Sequence, residues 1–173
     1  SDKAIYGSKL GIDATTKIEG EYEPKIKPID NSKTTSSLSE NVLEVFLELT
    51  SCKILEPNDF HQVALATLNK KTLQQGCKII EKFMKDKRFS SITIFVVLES
   101  HENVNDASTV LWKILNNIDP KRDMYIFGNR IGIDVTCKTG DPDYKQDWPA
   151  EIEMSNNIKK IVDQKWIKMF HEW

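Results

Sequence analysis

One segment limits the choice of fold more than any other. Residues 92–98, ITIFVVL, carry no charge and a single hydroxyl, and they are bounded by Ser90-Ser91 and Glu99-Ser100. A half-solvated strand alternates apolar and polar side chains, whereas a run apolar on both faces belongs inside a parallel or mixed sheet. Such a sheet needs helices over its faces and crossovers long enough to hold them. The flanking sequence supplies both. HQVALATL (61–68) alternates as a strand and ends at the polar Asn69-Lys70-Lys71. Residues 72–86 change period, with Leu73, Cys77, Ile80, Phe83 and Met84 on one helical face and Thr72 as the expected cap. Asp106 to Ile118 reads as a second helix, with Val110, Leu111, Ile114, Leu115 and Ile118 inward and Pro120 stopping it. Asp119 to Asp123 reads as a turn, and Met124 to Phe127 as a short strand. Upstream, Leu43, Val45, Leu47 and Leu49 alternate with Glu44, Phe46 and Glu48, which favours a strand. Leu38, Val42, Val45, Phe46 and Leu49 make an alternative helical stripe with Ser39 as its cap. The expected class is α/β: a three-layer or two-layer mixed or parallel sheet with flanking helices and an extended N-terminal arm.

Charge and cysteine content then exclude several functions. With 24 basic and 26 acidic side chains among 173 residues, the net charge of −2 argues against a general nucleic-acid binder, which needs clustered Lys and Arg. It argues equally against a basic membrane-surface protein. No apolar run approaches the ~20 residues of a spanning helix. Cys52, Cys77 and Cys137 are odd in number and show no ligand spacing, so reduced thiols and a cytoplasmic location are expected.

The glycines expose an internal repeat. Six of seven fall in two clusters, Gly7, Gly11, Gly20 and Gly128, Gly132, Gly140. Residues 6–17, YGSKLGIDATTK, align with residues 127–138, FGNRIGIDVTCK, and the differences are mostly conservative (Tyr6/Phe127, Lys9/Arg130, Leu10/Ile131, Ala14/Val135). Glu21 and Asp141 follow the two copies. The first copy stands almost at the start of the chain and the second has a long lead-in, which is the pattern expected of a piece of a longer protein. Pro24 and Pro28 exclude a helix interior from 22–29, and DNSKTTSS (30–37) reads as a linker. The expected division is 1–37 as an arm and linker, the end of a preceding repeat unit, and 38–173 as the α/β domain with a terminal helix over about 155–171. Residues 22–37 are expected to be mobile or extended, with fast amide exchange.

The residues that carry chemistry are few. The Gly-x-x-x-Gly spacing at 7/11 and 128/132 lacks both GxGxxG and a GK[ST] ending, so positive φ or close backbone approach explains it better than a phosphate loop. His101-Glu102 begins a zinc motif, but Asn105 stands where the second histidine belongs. His61 and His171 have no partner at a useful spacing. Glu99, Glu102, Asn103, Asn105 and Asp106 follow the central strand, where α/β sheets often bind ligands. They suit a capping loop too, with Asn105 or Asp106 starting the next helix.

The stretch from Ile94 through Lys138, with VLWKILNNIDPKRD followed by a GxxxGID-T-K motif, resembles the C-terminal domain of the UbiD-like decarboxylases, among them the 3-octaprenyl-4-hydroxybenzoate carboxy-lyases. Gly7-Ser8-Lys9-Leu10-Gly11-Ile12-Asp13-Ala14-Thr15-Thr16-Lys17 is similar to the same family's motif almost unaltered, and DWPAEIEMSNNIKKIVDQKW resembles its terminal segment. The departures are Glu99-Ser100-His101-Glu102 in place of a run of aspartates, Asn129-Arg130 in place of Ser-Lys, and Cys137 at a position usually Thr or variable. The second unit therefore looks like a diverged duplicate.

The resemblance implies a parent that decarboxylates aromatic or unsaturated acids with prenylated flavin mononucleotide, a divalent metal and a monovalent cation. It implies that the metal ligands and a catalytic Glu–Arg–Glu set lie in an upstream domain of the same chain, its expected partner. No catalytic or metal residue is carried over to this sequence, and Lys9 alone is nominated to face the catalytic domain. The chain has three arginines, Arg88, Arg122 and Arg130, none beside paired glutamates. The expected role is oligomerisation or scaffolding, with no tight flavin binding and no decarboxylation by this chain alone. A stand-alone ligand- or nucleotide-binding module, using the loop after Leu98, and a protein-interaction module are the alternatives. Ser155 is the expected cap of a terminal helix whose stripe, Ile158, Ile161, Val162, Lys165, Trp166, Met169 and Phe170, predicts a homodimer contact anchored by Trp166 and Phe170.

Overall fold

The computed structural model describes residues 35–55, 62–142, 144, 148 and 154–171, with side chains in the last helix as far as 166. The first motif copy with Lys9, the stretch 22–34, and His61 lie outside the described residues. In chain order the elements are α1 (Thr35–Val45), β1 (Leu49–Ile54), β2 (Gln62–Leu68), α2 (Gln75–Lys85), a 3-10 turn (Lys87–Phe89), β3 (Ile92–Glu99), α3 (Ala107–Asn116), α4 (Pro120–Asp123), β4 (Met124–Phe127), β5 (Arg130–Asp134) and α5 (Asn156–His171). The strands form one mixed sheet in the order β1-β2-β3-β5-β4. β2, β3 and β5 are parallel, and β1 and β4 are antiparallel edges.

β3 is the central strand that its apolar run predicts, because both of its faces are covered. Phe95 and Val97 face one core with Ile80 and Phe83 of α2 and Val42 of α1. Val96 and Leu98 face the other, with Val110 of α3 and Ile133 of β5. The architecture is thus three-layered. On the first face the aromatic rings stack: Phe83 lies 3.8 Å from Phe95 and 5.0 Å from Phe89, at interplanar angles of 12° and 8°. Among the described residues no helix is long and apolar enough to cross a membrane.

Six local expectations are corrected. The segment 38–50 begins as helix, and the strand starts only at Leu49. The alternation of 43–49 lost to the helical stripe, since Leu38, Val42, Phe46 and Leu49 are the buried residues. Ser39 is no cap: its hydroxyl donates to the Thr35 carbonyl and accepts from the Ile54 N–H, tying α1 to β1. Thr35-Ser36-Ser37, read as linker, form the first turn of α1. Thr72 does not cap α2, whose preceding residue is Gln74 at φ 56°. In α3 Val110 and Lys113 are buried and Ile114, with Ile118 just beyond the helix, packs on the same core as expected, while Leu111 and Leu115 face solvent. The Asp119–Asp123 turn tightens into α4, with Pro120 in the first helical position, where its missing N–H costs nothing, and Asp119 accepting from the Lys121 N–H.

Candidate functional site

The parallel strands β2, β3 and β5 end together, and open α/β sheets bind ligands at such an edge. A cleft of about 550 Å³ lies there, lined by Lys70, Lys71, Leu73, Glu99, Cys137 and Thr139. Two of its charged groups, Glu99 and Lys70, are turned onto the protein itself. Glu99 Oε1 accepts the Cys137 N–H at 2.5 Å. Lys70 Nζ donates to the Cys137 carbonyl at 2.6 Å and to Asp141 Oδ2 at 2.8 Å. The other oxygen of Asp141 accepts the Gln74 N–H at 3.0 Å, at the N-terminus of α2, and Gln75 Oε1 accepts the N–H groups of Lys71 and Thr72. Donors that elsewhere cradle a phosphate are satisfied by side chains of this chain.

Beneath the cleft the second motif copy forms a buried lock. Gly128, at φ +63°, makes the turn between β4 and β5 that a residue with a side chain would resist. Gly132 lets α2 lie against the backbone of β5, for a Cβ there would sit 2.1 Å from Ile80 Cγ2. Asp134, 2% exposed, accepts from the Thr136 N–H and hydroxyl at 3.0 and 2.7 Å and pairs with Lys138 Nζ at 2.9 Å. Lys138, 3% exposed, also donates to the carbonyls of Asp134 and Thr136. A Cβ on Gly76 of α2 would meet the Asp134 carboxylate at 2.5 Å, so helix and strand close over this pair. Arg130 completes the lock at the strand's other end. Its guanidinium donates to the carbonyls of Ile92, Met84 and Phe89 at 2.7–2.8 Å, holding the C-terminal turn of α2 to the start of β3. Burial pushes the Arg130 guanidinium down from its usual value, and Asp86 opposes that.

The loop after β3 is a capping loop. Asp106 is the residue that starts α3, accepting from the Thr109 N–H and hydroxyl, and these bonds hold its carboxyl below the usual range. Asn103 Oδ1 accepts the Asn105 N–H. Glu102 Oε1 pairs with the buried Lys113 at 2.7 Å and lies 3.3 Å from His101 Nε2. Among the described residues no group of three or more His, Cys, Asp or Glu is placed to hold a metal ion. Burial pushes the Cys52 thiol up to about 12. Sequence reading missed Arg130 as a helix-end clamp and Lys138 as the partner of Asp134. The available signal was the repeat, where Lys9, Asp13, Thr15 and Lys17 align with Arg130, Asp134, Thr136 and Lys138.

A three-layer α/β domain built this way is the type found in UbiD-class enzymes. The fold superposes on the closed form of the vanillic acid decarboxylase of Sedimentibacter hydroxybenzoicus with a TM-score of 0.59 at 10% identity, covering 79% of this chain and 32% of that one. For an evolved dimeric form of the UbiD-class enzyme HmfF from Pelotomaculum thermopropionicum, in complex with prFMN, the TM-score is 0.54 at 20% identity, covering 75% and 29%. Residues 33–145 match the family model of the 3-octaprenyl-4-hydroxybenzoate carboxy-lyase C-terminal domain, and the chain belongs to that family. Among its relatives, an uncharacterised protein of Archaeoglobus fulgidus is 28% identical over 124 residues, 62% of this chain and 26% of that protein. One from Helicobacter pylori strain J99 is 28% identical over 169 residues, 92% of this chain and 25% of its own length. The chain thus spans about a quarter of the length of the curated relatives it matches.

Proposed function

We propose that this chain is the C-terminal, non-catalytic part of a UbiD-like carboxy-lyase acting on aromatic or unsaturated acids, and that its task is assembly. One observation carries the reading: Glu99, Lys70 and Asp141, three of the ionisable groups at the C-terminal edge of the parallel strands, are spent on backbone groups and on each other, so both carboxylates there are already engaged. Prenylated flavin mononucleotide with a divalent metal belongs to the parent enzyme. The described residues do not fit that group, because a hard divalent ion on a phosphate needs several uncommitted oxygen ligands held together. The upstream catalytic domain is the partner within the same chain, and the sequence before α1 carries the end of a preceding repeat unit. The three thiols, none of them in a disulfide, suit a reducing cytoplasm.

The purified chain, incubated with reconstituted prenylated flavin, a divalent metal and a panel of aromatic acids, is expected to retain no flavin absorbance after desalting and to release no carbon dioxide above a protein-free control. Flavin retained at one equivalent, or measurable carbon dioxide, overturns the reading.

Assembly falls to α5. Ser155 caps it, accepting the Ile158 N–H at 3.4 Å, and Ile158, Ile161, Val162 and Trp166 are exposed along one stripe. Large apolar side chains each contribute roughly 1.5–3 kcal/mol when buried, and a two-fold contact is the commonest way to bury them. The full chain is expected to sediment as a homodimer and the chain lacking 155–173 as a monomer or an aggregate. A monomeric full chain at high concentration removes this role.

A further inference from the structure

The two motif copies are identical at Gly7, Gly11, Ile12, Asp13, Thr15 and Lys17, which match Gly128, Gly132, Ile133, Asp134, Thr136 and Lys138. These are the residues of which the lock is made. Gly128 turns the chain at φ +63°, and Gly132 admits Ile80 of α2. Ile133 packs with Val96 and Leu98 of β3. Asp134, Thr136 and Lys138 close on one another beneath Gly76. Lys9 keeps the positive charge of Arg130. Most of these roles need partners outside the motif: a parallel strand, an antiparallel strand, and a helix that brings Gly76 and Ile80 against it. Those partners are already taken here, for β5 fills the place between β3 and β4 and α2 lies over it. The first copy therefore has the residues of a lock and no place in the described sheet to close it. Its link to the domain recurs in a longer protein. The relative from Helicobacter pylori strain J99 matches across 92% of this chain, a span that has to include the linker 18–34, and this match occupies a quarter of that protein.

We propose that residues 6–17 are the inserted strand of a second sheet, whose other strands and covering helix come from sequence upstream in the parent protein, and that Asp13 and Lys17 form there the buried pair that Asp134 and Lys138 form here. The proposal rests on the reading of this segment as the end of a preceding unit, and it adds which residues bind and what surface they fit. That surface is a sheet open between a parallel and an antiparallel strand, covered by a helix with a small residue facing the carboxylate. Lys9 takes the clamp position, so it serves carbonyl oxygens of its own unit and does not face the catalytic domain. Its ammonium reaches fewer of them than the planar fork of Arg130, which donates to three.

The present chain and its full-length parent, compared by amide exchange and melting, test this. In the present chain the amides of 9–17 are expected to exchange at the free rate, and Asp13→Asn is expected to leave the melting temperature unchanged. In the parent the same amides are expected to be slowed by about a hundredfold or more, and Asp13→Asn is expected to lower the melting of that unit by about 10–20 °C. If Asp13→Asn does not fold in the parent, Asp13→Asn with Lys17→Met is expected to recover part of the loss, because the unpaired ammonium goes with the carboxylate. Protection of 9–17 in the present chain that is lost on dilution means that copies exchange strands, and it overturns the upstream unit as partner. Protection that does not depend on concentration seats the segment on the described domain and overturns the upstream unit too. Free exchange of 9–17 in the parent overturns the proposal, whereas the non-catalytic reading still stands or falls on the flavin and carbon dioxide assay. A parent with no upstream counterpart of the stretch from Gly76 to Leu98 overturns the preceding unit itself.

Discussion

Asp134→Asn is expected to be the most damaging conservative substitution in the domain, lowering the unfolding free energy by about 3–5 kcal/mol. Lys138 Nζ is buried, and its nearest carboxylate apart from Asp134 is Asp123 at 3.9 Å. With the charge of Asp134 gone, an ammonium group remains out of water with two carbonyls and a distant, shared counterion. Asp123 is itself occupied, paired with Arg122 at 2.5 Å and accepting the Asp119 N–H. A single domain has only about 5–15 kcal/mol to lose, so thermal denaturation is expected to begin roughly 10–20 °C lower. The double variant Asp134→Asn with Lys138→Met tests the cause. Removing both charges is expected to recover part of the loss, because the cost lies in the unpaired ion more than in the missing bond. A loss below about 1 kcal/mol for Asp134→Asn would show that the buried pair does not hold β5 to α2.

The second large effect is expected at Arg130. Arg130→Met keeps much of the side chain's length and removes the donors to the carbonyls of Met84, Phe89 and Ile92. Each buried acceptor left without a donor costs about 1–3 kcal/mol, with the three less than additive because they share one group. A total of about 3–5 kcal/mol is expected, measured by urea unfolding at unchanged m value. Arg130→Lys is expected to lose about half as much, since an ammonium on a flexible stem cannot reproduce a planar fork of donors. Amide exchange gives a local readout: protection in 83–92 is expected to fall first. Equal losses for Met and Lys would show that packing against Phe83, whose ring lies 5.9 Å from the guanidinium, matters more than the hydrogen bonds.

Both positions explain why part of the fold was legible in the sequence and part was not. The central strand announced itself because burial on both faces leaves no room for a polar residue, and 92–98 shows that directly. α2 was legible because Ile80, Phe83 and Met84 share a face, and α3 because Asp106 and Pro120 mark its limits. The error at 43–49 arose where two periodicities fit the same residues. Leu43 and Val45 are only partly buried, and the stripe ending at Phe46 and Leu49 was the one that met the core. The exposed Leu111 and Leu115 defied the expectation that apolar residues on a helix face inward, because a helix beside a sheet buries only a narrow face and here Lys113 occupies part of it. The lock was half legible. The repeat marked the positions of Arg130, Asp134, Thr136 and Lys138, but partners such as Met84 and Ile92 contribute only carbonyl oxygens, which no side-chain pattern reveals.

The strand order has a consequence for how the polypeptide is made. β5 lies between β3 and β4, although it is the last of the described strands in chain order. Until residue 138 has emerged, β3 has an open edge, α2 lacks the arginine that closes its final turn, and the Gly76 end of that helix has no carboxylate beneath it. The nascent chain therefore carries a half-sheet with a parallel edge unpaired, the kind of edge that recruits other strands. The charge pair, the glycine contact and the guanidinium clamp all depend on the β4–β5 hairpin and its flank, so none of them can close before residue 138 has emerged. A pause in synthesis before residue 130 would prolong the sticky state, and one after residue 138 would not.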